Sequence, residues 1–84
     1  MTKAIYRPEY GVFLGLLKRR RIEAGMTQAQ CSTALGHPQS FMSDVERGSR
    51  RLDIMQLRDL CEVIGIELSA LVLDFEKALR ERQQ

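Results

Sequence analysis

Between Thr27 and Gly48 the sequence runs TQAQCSTALGHPQSFMSDVERG, and its punctuation leaves room for two short helices joined by a tight turn. Thr27 can cap the first, because its hydroxyl takes a free N–H of the opening turn. From Gln28 to Leu35 the apolar residues Ala29, Cys31, Ala34 and Leu35 recur at a spacing that gives one buried face. Gly36 stops the helix where a left-handed residue costs little. Pro38 opens the second helix, since the first helical position needs no N–H donor. Met42 and Val45, at i and i+3, form its buried pair, and Gly48 closes it. This reading turns Gln39, Ser40, Phe41, Ser43 and Asp44 outward, with no part in a core.

The flanks read as three more helices. Residues 1–7 are a short polar-aromatic arm, either a frayed terminus or a contact through Lys3, Tyr6 or Arg7. Pro8 opens helix one, which runs to about Ala24 with Tyr10, Phe13, Leu14, Leu17, Arg21 and Ile22 on its inner stripe. Gly11 and Gly15 each cost ~1 kcal/mol of helix propensity against alanine, which points to close packing there. Asp53 starts helix four, with Ile54, Leu57, Leu60, Cys61 and Ile64 inward, and Gly65 ends it. Glu67 starts helix five, where Leu68, Leu71, Val72, Phe75 and Leu79 follow 3–4 spacing. The terminal RERQQ is polar and expected to fray. The fold class is therefore all-α with five helices, organised as an arm (1–7) and a single domain (8–84).

An 84-residue chain makes one small domain with a modest core. Charged residues make up 29% and hydrophobic ones 44%, a globular rather than disordered balance. The net charge of +2 says less than its distribution. Residues 1–25 carry Lys3, Arg7, Lys18, Arg19, Arg20 and Arg21 against Glu9 and Glu23, whereas residues 51–84 carry more acids than bases. Such a field suits a front that meets phosphate and a back that meets protein. In the run Lys18-Arg19-Arg20-Arg21, consecutive helical residues diverge, so at most two of the four can face one phosphate. No stretch approaches the ~18 apolar residues of a membrane span, and no signal-peptide pattern opens the chain. The expected location is the cytoplasm. Cys31 and Cys61 fall at apolar helix positions and read as reduced core thiols. With a single histidine, His37, there is no metal-ligand cluster. No nucleophile–base pair or phosphate-cradling glycine loop appears either, so the chain reads as a non-enzyme without cofactor.

The ordered set Thr27-Gln28, Leu35-Gly36, Gln39-Ser40, Ser43 and Glu46-Arg47-Gly48 resembles the helix-turn-helix of the Cro/repressor-like (XRE) family of bacterial and phage regulators. Flanking matches at Leu17, Arg21, Gly25, Arg51-Leu52-Asp53 and Ile64-Gly65-Ile66 extend the resemblance over residues 12–73. The departure is Asp44, where similar PQSF segments often carry a basic or amide residue. The resemblance implies a five-helix, lambda-repressor-like DNA-binding domain. In it, helices two and three form the DNA-binding pair, and the recognition helix, about 38–47, enters the major groove. It implies that Arg21 and Glu46, both on inner faces, pair and tie helix one to helix three. It also implies a homodimer joined through the C-terminal helix, about 68–82.

The leading function is thus a sequence-specific regulator of transcription on double-stranded DNA, without an evident small-molecule effector. Gln39 can pair bidentately with adenine, and Ser40 and Ser43 can bond a base or a phosphate. Asp44 either accepts from cytosine N4 or serves locally. Gln28 is placed to bond a phosphate and brace the next helix. Phe41 either lies against a thymine methyl or the sugar backbone or packs on the protein. Arg47, Arg50 and Arg51 are phosphate candidates, each against the alternative of a solvated or internally paired arginine. Val72, Phe75 and Leu79, bordered by Met55 or Leu73, form the expected dimer stripe. The alternative to that stripe has Phe75 folding back on helix one. The competing function is an antitoxin or adaptor that binds a partner protein through its C-terminal helix.

Overall fold

The computed structural model describes residues 7–82; the contacts expected of Lys3 and Tyr6 lie outside the described residues, and of the terminal RERQQ expected to fray, Arg80, Glu81 and Arg82 are helical while Gln83 and Gln84 lie outside them. Among the described residues the secondary structure is helical throughout: α1 (Pro8–Glu23), α2 (Gln28–Ala34), α3 (Phe41–Arg47), α4 (Ile54–Ile64) and α5 (Leu68–Arg82). Pro8 occupies the first turn of α1. Beside it, the Glu9 carboxyl is held below its ordinary value by a backbone N–H and by Arg7. Two reciprocal capping boxes fix the next starts. Thr27 accepts from the Gln30 N–H while Gln30 accepts from the Thr27 N–H, and Asp53 and Gln56 do the same for α4.

Each helix sends at least one apolar side chain to the centre: Leu17, Cys31, Met42, Leu60 and Leu71 are all at most 1% exposed. Helix α3 packs on α1 and α2, α5 packs on α1 and α4, and α2 packs on α4. Helix α1 therefore lies between the helix-turn-helix and the C-terminal helix. Gly48 closes α3 at φ +85°, and a Cβ there would sit 3.2 Å from Leu14 Cδ1. Both the left-handed backbone and the close approach of α1 call for glycine.

The structure corrects several expectations. Helix α3 starts at Phe41, not Pro38. The Phe41 N–H donates to the Pro38 carbonyl at 2.9 Å, so residues 38–41 form a turn. Ser40 provides no side-chain cap. The cap comes instead from α2, where Ser32, fully buried, accepts from the Met42 N–H at 2.9 Å. Ala34, expected on the inner face of α2, is exposed, and Ser32 takes the buried place. Ile22 is 56% exposed, because the inner stripe of α1 runs through Leu16, Leu17 and Arg21. Ile54 is 62% exposed and stands outside the core that Leu57, Leu60 and Ile64 join. Gly11 and Gly15 permit no close approach, as nothing lies within 4 Å of a built Cβ at either.

Candidate nucleic-acid interface

Phe41, Met42 and Val45 anchor α3 in the core, and the opposite side of the turn and helix is left with polar residues. Gln39 and Ser40 are exposed and Ser43 half-buried. Together with Gln28 and Ala29 from the start of α2 they line one open depression. The Ser43 hydroxyl donates to the Ser40 carbonyl at 2.9 Å, which leaves its oxygen free to accept. Ser40, Ser43, Asp44 and Arg47 follow at i, i+3, i+4 and i+7, so one helical face carries them all.

A three-helix hydrogen-bond network holds α3 at its angle. Arg21 of α1 donates from Nε to Glu46 Oε2 at 2.7 Å and from Nη2 to Glu46 Oε1 at 3.2 Å. Its Nη1 donates to the Met26 carbonyl at 2.8 Å, which fixes the chain entering α2. Gln28 of α2 completes the cluster, donating from Nε2 to Glu46 Oε1 at 2.8 Å. The Arg21 and Glu46 side chains are only 9% and 5% exposed. The hydrogen bond from Arg21 to Glu46 raises the Arg21 pKa further, against the opposing effect of burial. The brace expected of Gln28 is therefore made to Glu46.

Phe41, expected on the outer face, lies in the core at 3% exposure. The His37 ring stacks on it with centroids 3.9 Å apart, and the Arg50 guanidinium lies 4.9 Å over the same ring. A phenyl ring next to Met42 contributes its area to the core before it can reach a sugar. Phe41 instead props the arginine that the sequence placed against DNA. The loop bearing that arginine is tied down at its base, where the Asp44 carbonyl accepts from the Ser49 and Arg50 N–H groups at 3.0 and 3.2 Å. Arg51 leans over the Tyr10 ring at 4.7 Å, which joins the loop to α1.

Asp44 and Arg47 meet each other. Arg47 Nη2 stands 2.5 Å from Asp44 Oδ1, with the arginine side chain 63% and the aspartate side chain 35% exposed. Within the basic run of α1, Arg20 pairs with Glu23 and with Asp74 of α5. With Arg21 on Glu46, only Lys18 and Arg19 of that run keep exposed positions.

The expected dimer stripe divides. Phe75 packs edge-on against Phe13 with centroids 5.4 Å apart, and Leu79 is half-buried beside it. Phe75 thus folds back on α1, because the α1–α5 contact offers an aromatic partner within the chain. The exposed large apolar residues of α5 are Val72 at 44% and Leu73 at 63%; Met55 on α4 reaches 59%. Among the described residues no helix is long and apolar enough to cross a membrane. No group of three His, Cys, Asp or Glu among them could hold a metal ion.

Two short helices set by a buried ion pair, with a polar face beyond the core, define a helix-turn-helix. The sequence model of the helix-turn-helix domain matches residues 12–71. An XRE-family like protein from Pseudomonas syringae pv. tomato str. DC3000 is 40% identical, with 92% of this chain and 94% of that one covered and a TM-score of 0.80. The chain belongs to the XRE family of helix-turn-helix regulators. Two more distant structures share the fold. The restriction-modification controller protein C.Esp1396I is 21% identical, with 90% and 99% covered and a TM-score of 0.79. The clp gene regulator ClgR from Corynebacterium glutamicum is 19% identical, with 92% and 84% covered and a TM-score of 0.76. A search of curated proteins finds no match.

Proposed function

We propose that the protein is a sequence-specific double-stranded DNA-binding transcriptional regulator that acts as a homodimer on a near-palindromic operator. The observation that carries this reading is the polar set of exposed Gln39 and Ser40 and half-buried Ser43 on an α3 region whose other side is locked to α1 and α2 through Arg21, Glu46 and Gln28. A face so rigidly presented, yet contributing nothing to the core, fits readout of base edges in the major groove. Gln39 pairs with adenine, Ser40 bonds a base or a phosphate beside it, and Ser43, whose hydroxyl proton is held by the Ser40 carbonyl, accepts from a base N–H. The Gln28 amide oxygen cannot accept from an unprotonated phosphate, so a Gln28 contact to backbone requires its amide N–H groups to be shared with Glu46. Arg50 and Arg51, on a loop tied to Asp44 and Tyr10, are the phosphate contacts. One α3 reads few base pairs, so a second copy supplies the remaining specificity, with half-sites ~34 Å apart. Val72 and Leu73 take the place of Phe75 at the centre of that contact.

Selection of bound duplexes from a random pool tests this. An enriched motif with two-fold symmetry and half-sites one helical turn apart is the expected result. A pool that stays random would overturn the reading and favour an adaptor that uses its exposed apolar residues on another protein.

A further inference from the structure

We propose that Arg47 reads a guanine and that Asp44 is the positioning residue that sets it, an inference resting on the DNA-binding reading above. Arg47 stands on the same helical face as Ser40 and Ser43, one turn beyond Ser43. Its side chain is 63% exposed, yet its guanidinium is held by the Asp44 carboxylate at 2.5 Å. An arginine contacting only phosphate gains nothing from a neighbouring carboxylate, which repels the phosphate and competes for the same donors. An arginine reading guanine gains orientation. The guanidinium carries five N–H donors, so with one on Asp44 the rest remain to reach the O6 and N7 acceptors of a guanine as a bidentate pair. Fixing a long side chain before binding also removes part of the ordering cost of that contact. The carboxylate adds selectivity of its own, because it repels any neighbouring base edge whose acceptors the guanidinium does not cover.

The Asp44 backbone supports the loop without help from its side chain. Its carbonyl, which anchors Ser49 and Arg50, is unaffected by substitution of the carboxylate. Asp44→Ala and Asp44→Asn therefore remove the buttress while leaving the loop anchored. The assignment replaces the phosphate contact expected of Arg47 with a base contact, and gives Asp44 the local role that stood beside cytosine readout.

The experiment is duplex selection with the wild type, Arg47→Ala, Arg47→Lys, Asp44→Ala and Asp44→Asn, paired with titrations of the selected duplex at several salt concentrations and with thermal melts. The wild type is expected to select one guanine in each half-site that Arg47→Ala no longer prefers, a loss of about tenfold or more at that base alone. Arg47→Lys, which keeps the charge without the fork, is expected to lose the same preference while keeping the salt slope. Both Asp44 variants are expected to weaken preference at that same guanine, with melting temperatures close to wild type. An Arg47→Ala protein that keeps its motif, binds all duplexes more weakly and loses about one unit of salt slope overturns the inference in favour of a phosphate contact. Asp44 variants that relax a cytosine elsewhere overturn it in favour of direct readout by the carboxylate. A wild type that selects no sequence overturns the DNA-binding reading itself.

Discussion

Arg21 is the residue whose needs are plainest from its place in the chain. A guanidinium on an apolar stripe needs a partner, and the spacing of α3 offers Glu46. The two pair at 2.7 Å with both side chains nearly enclosed. Replacing one member leaves the other buried without its counter-charge, so Arg21→Ala is expected to lose ~3–5 kcal/mol of stability in urea titrations. An unchanged midpoint would mean that Glu46 is satisfied without it. Ser32 is not legible in the same way. Its place in the sequence matches an exposed polar position, and its partner, the Met42 N–H, lies ten residues on across a turn. No periodicity carries a hydrogen bond that exists only once α2 and α3 have docked. Phe41 escapes the pattern for a different reason: the i, i+3 pair of Met42 and Val45 marks only part of the inner face, and Phe41, at i−4 from Val45, shares that face. The cysteines make a pH prediction. Burial pushes both thiols above the ordinary value of 9.0. Above that pH the unfolded chain releases thiol protons that the folded chain retains, so stability falls as pH rises. Replacing both cysteines with alanine is expected to lower stability at neutral pH but to flatten the decline between about pH 8 and pH 10. An equally steep decline in the double variant would assign it to other groups.

At the scale of elements, the helices are readable wherever capping and termination are local. Thr27 and Asp53 begin α2 and α4, and the glycines at 25, 36, 48 and 65 all lie at positive φ just beyond helix ends. What the pattern does not show is where a helix outruns its neighbours. Ile54 stands outside the core, and Gly11 and Gly15 face open space rather than a packed helix. Glycines so placed cost α1 backbone entropy without return. Gly15→Ala is therefore expected to stabilise the protein by about 0.5–1 kcal/mol, read as a higher urea midpoint. Gly48→Ala is expected to do the opposite, through its left-handed backbone and its approach to Leu14. A loss of stability on Gly15→Ala would reveal a partner surface on that face of α1.

For the whole molecule, the division of surfaces follows the order of the helices. Helix α1 holds α3 on one side through Arg21 and α5 on the other through Phe13 and Phe75. The DNA-facing and self-associating surfaces of the proposed regulator are thus joined through one packed core. Since Phe75 completes that core, its replacement by a charge would disturb the fold as well as association. Leu73, 63% exposed, is the cleaner probe. Leu73→Glu is expected to give a folded monomer, seen by sedimentation, with much weaker binding to the symmetric duplex. A dimer that persists in that variant would move the interface away from the outer face of α5. The most direct measurement of the central claim is the affinity of wild type and Gln39→Ala for the selected duplex and for random duplex at one salt concentration. Readout through the exposed face of the α3 region predicts a loss of ~1–3 kcal/mol on the selected duplex and almost none on random DNA. Equal losses on both duplexes, or none on either, would contradict it.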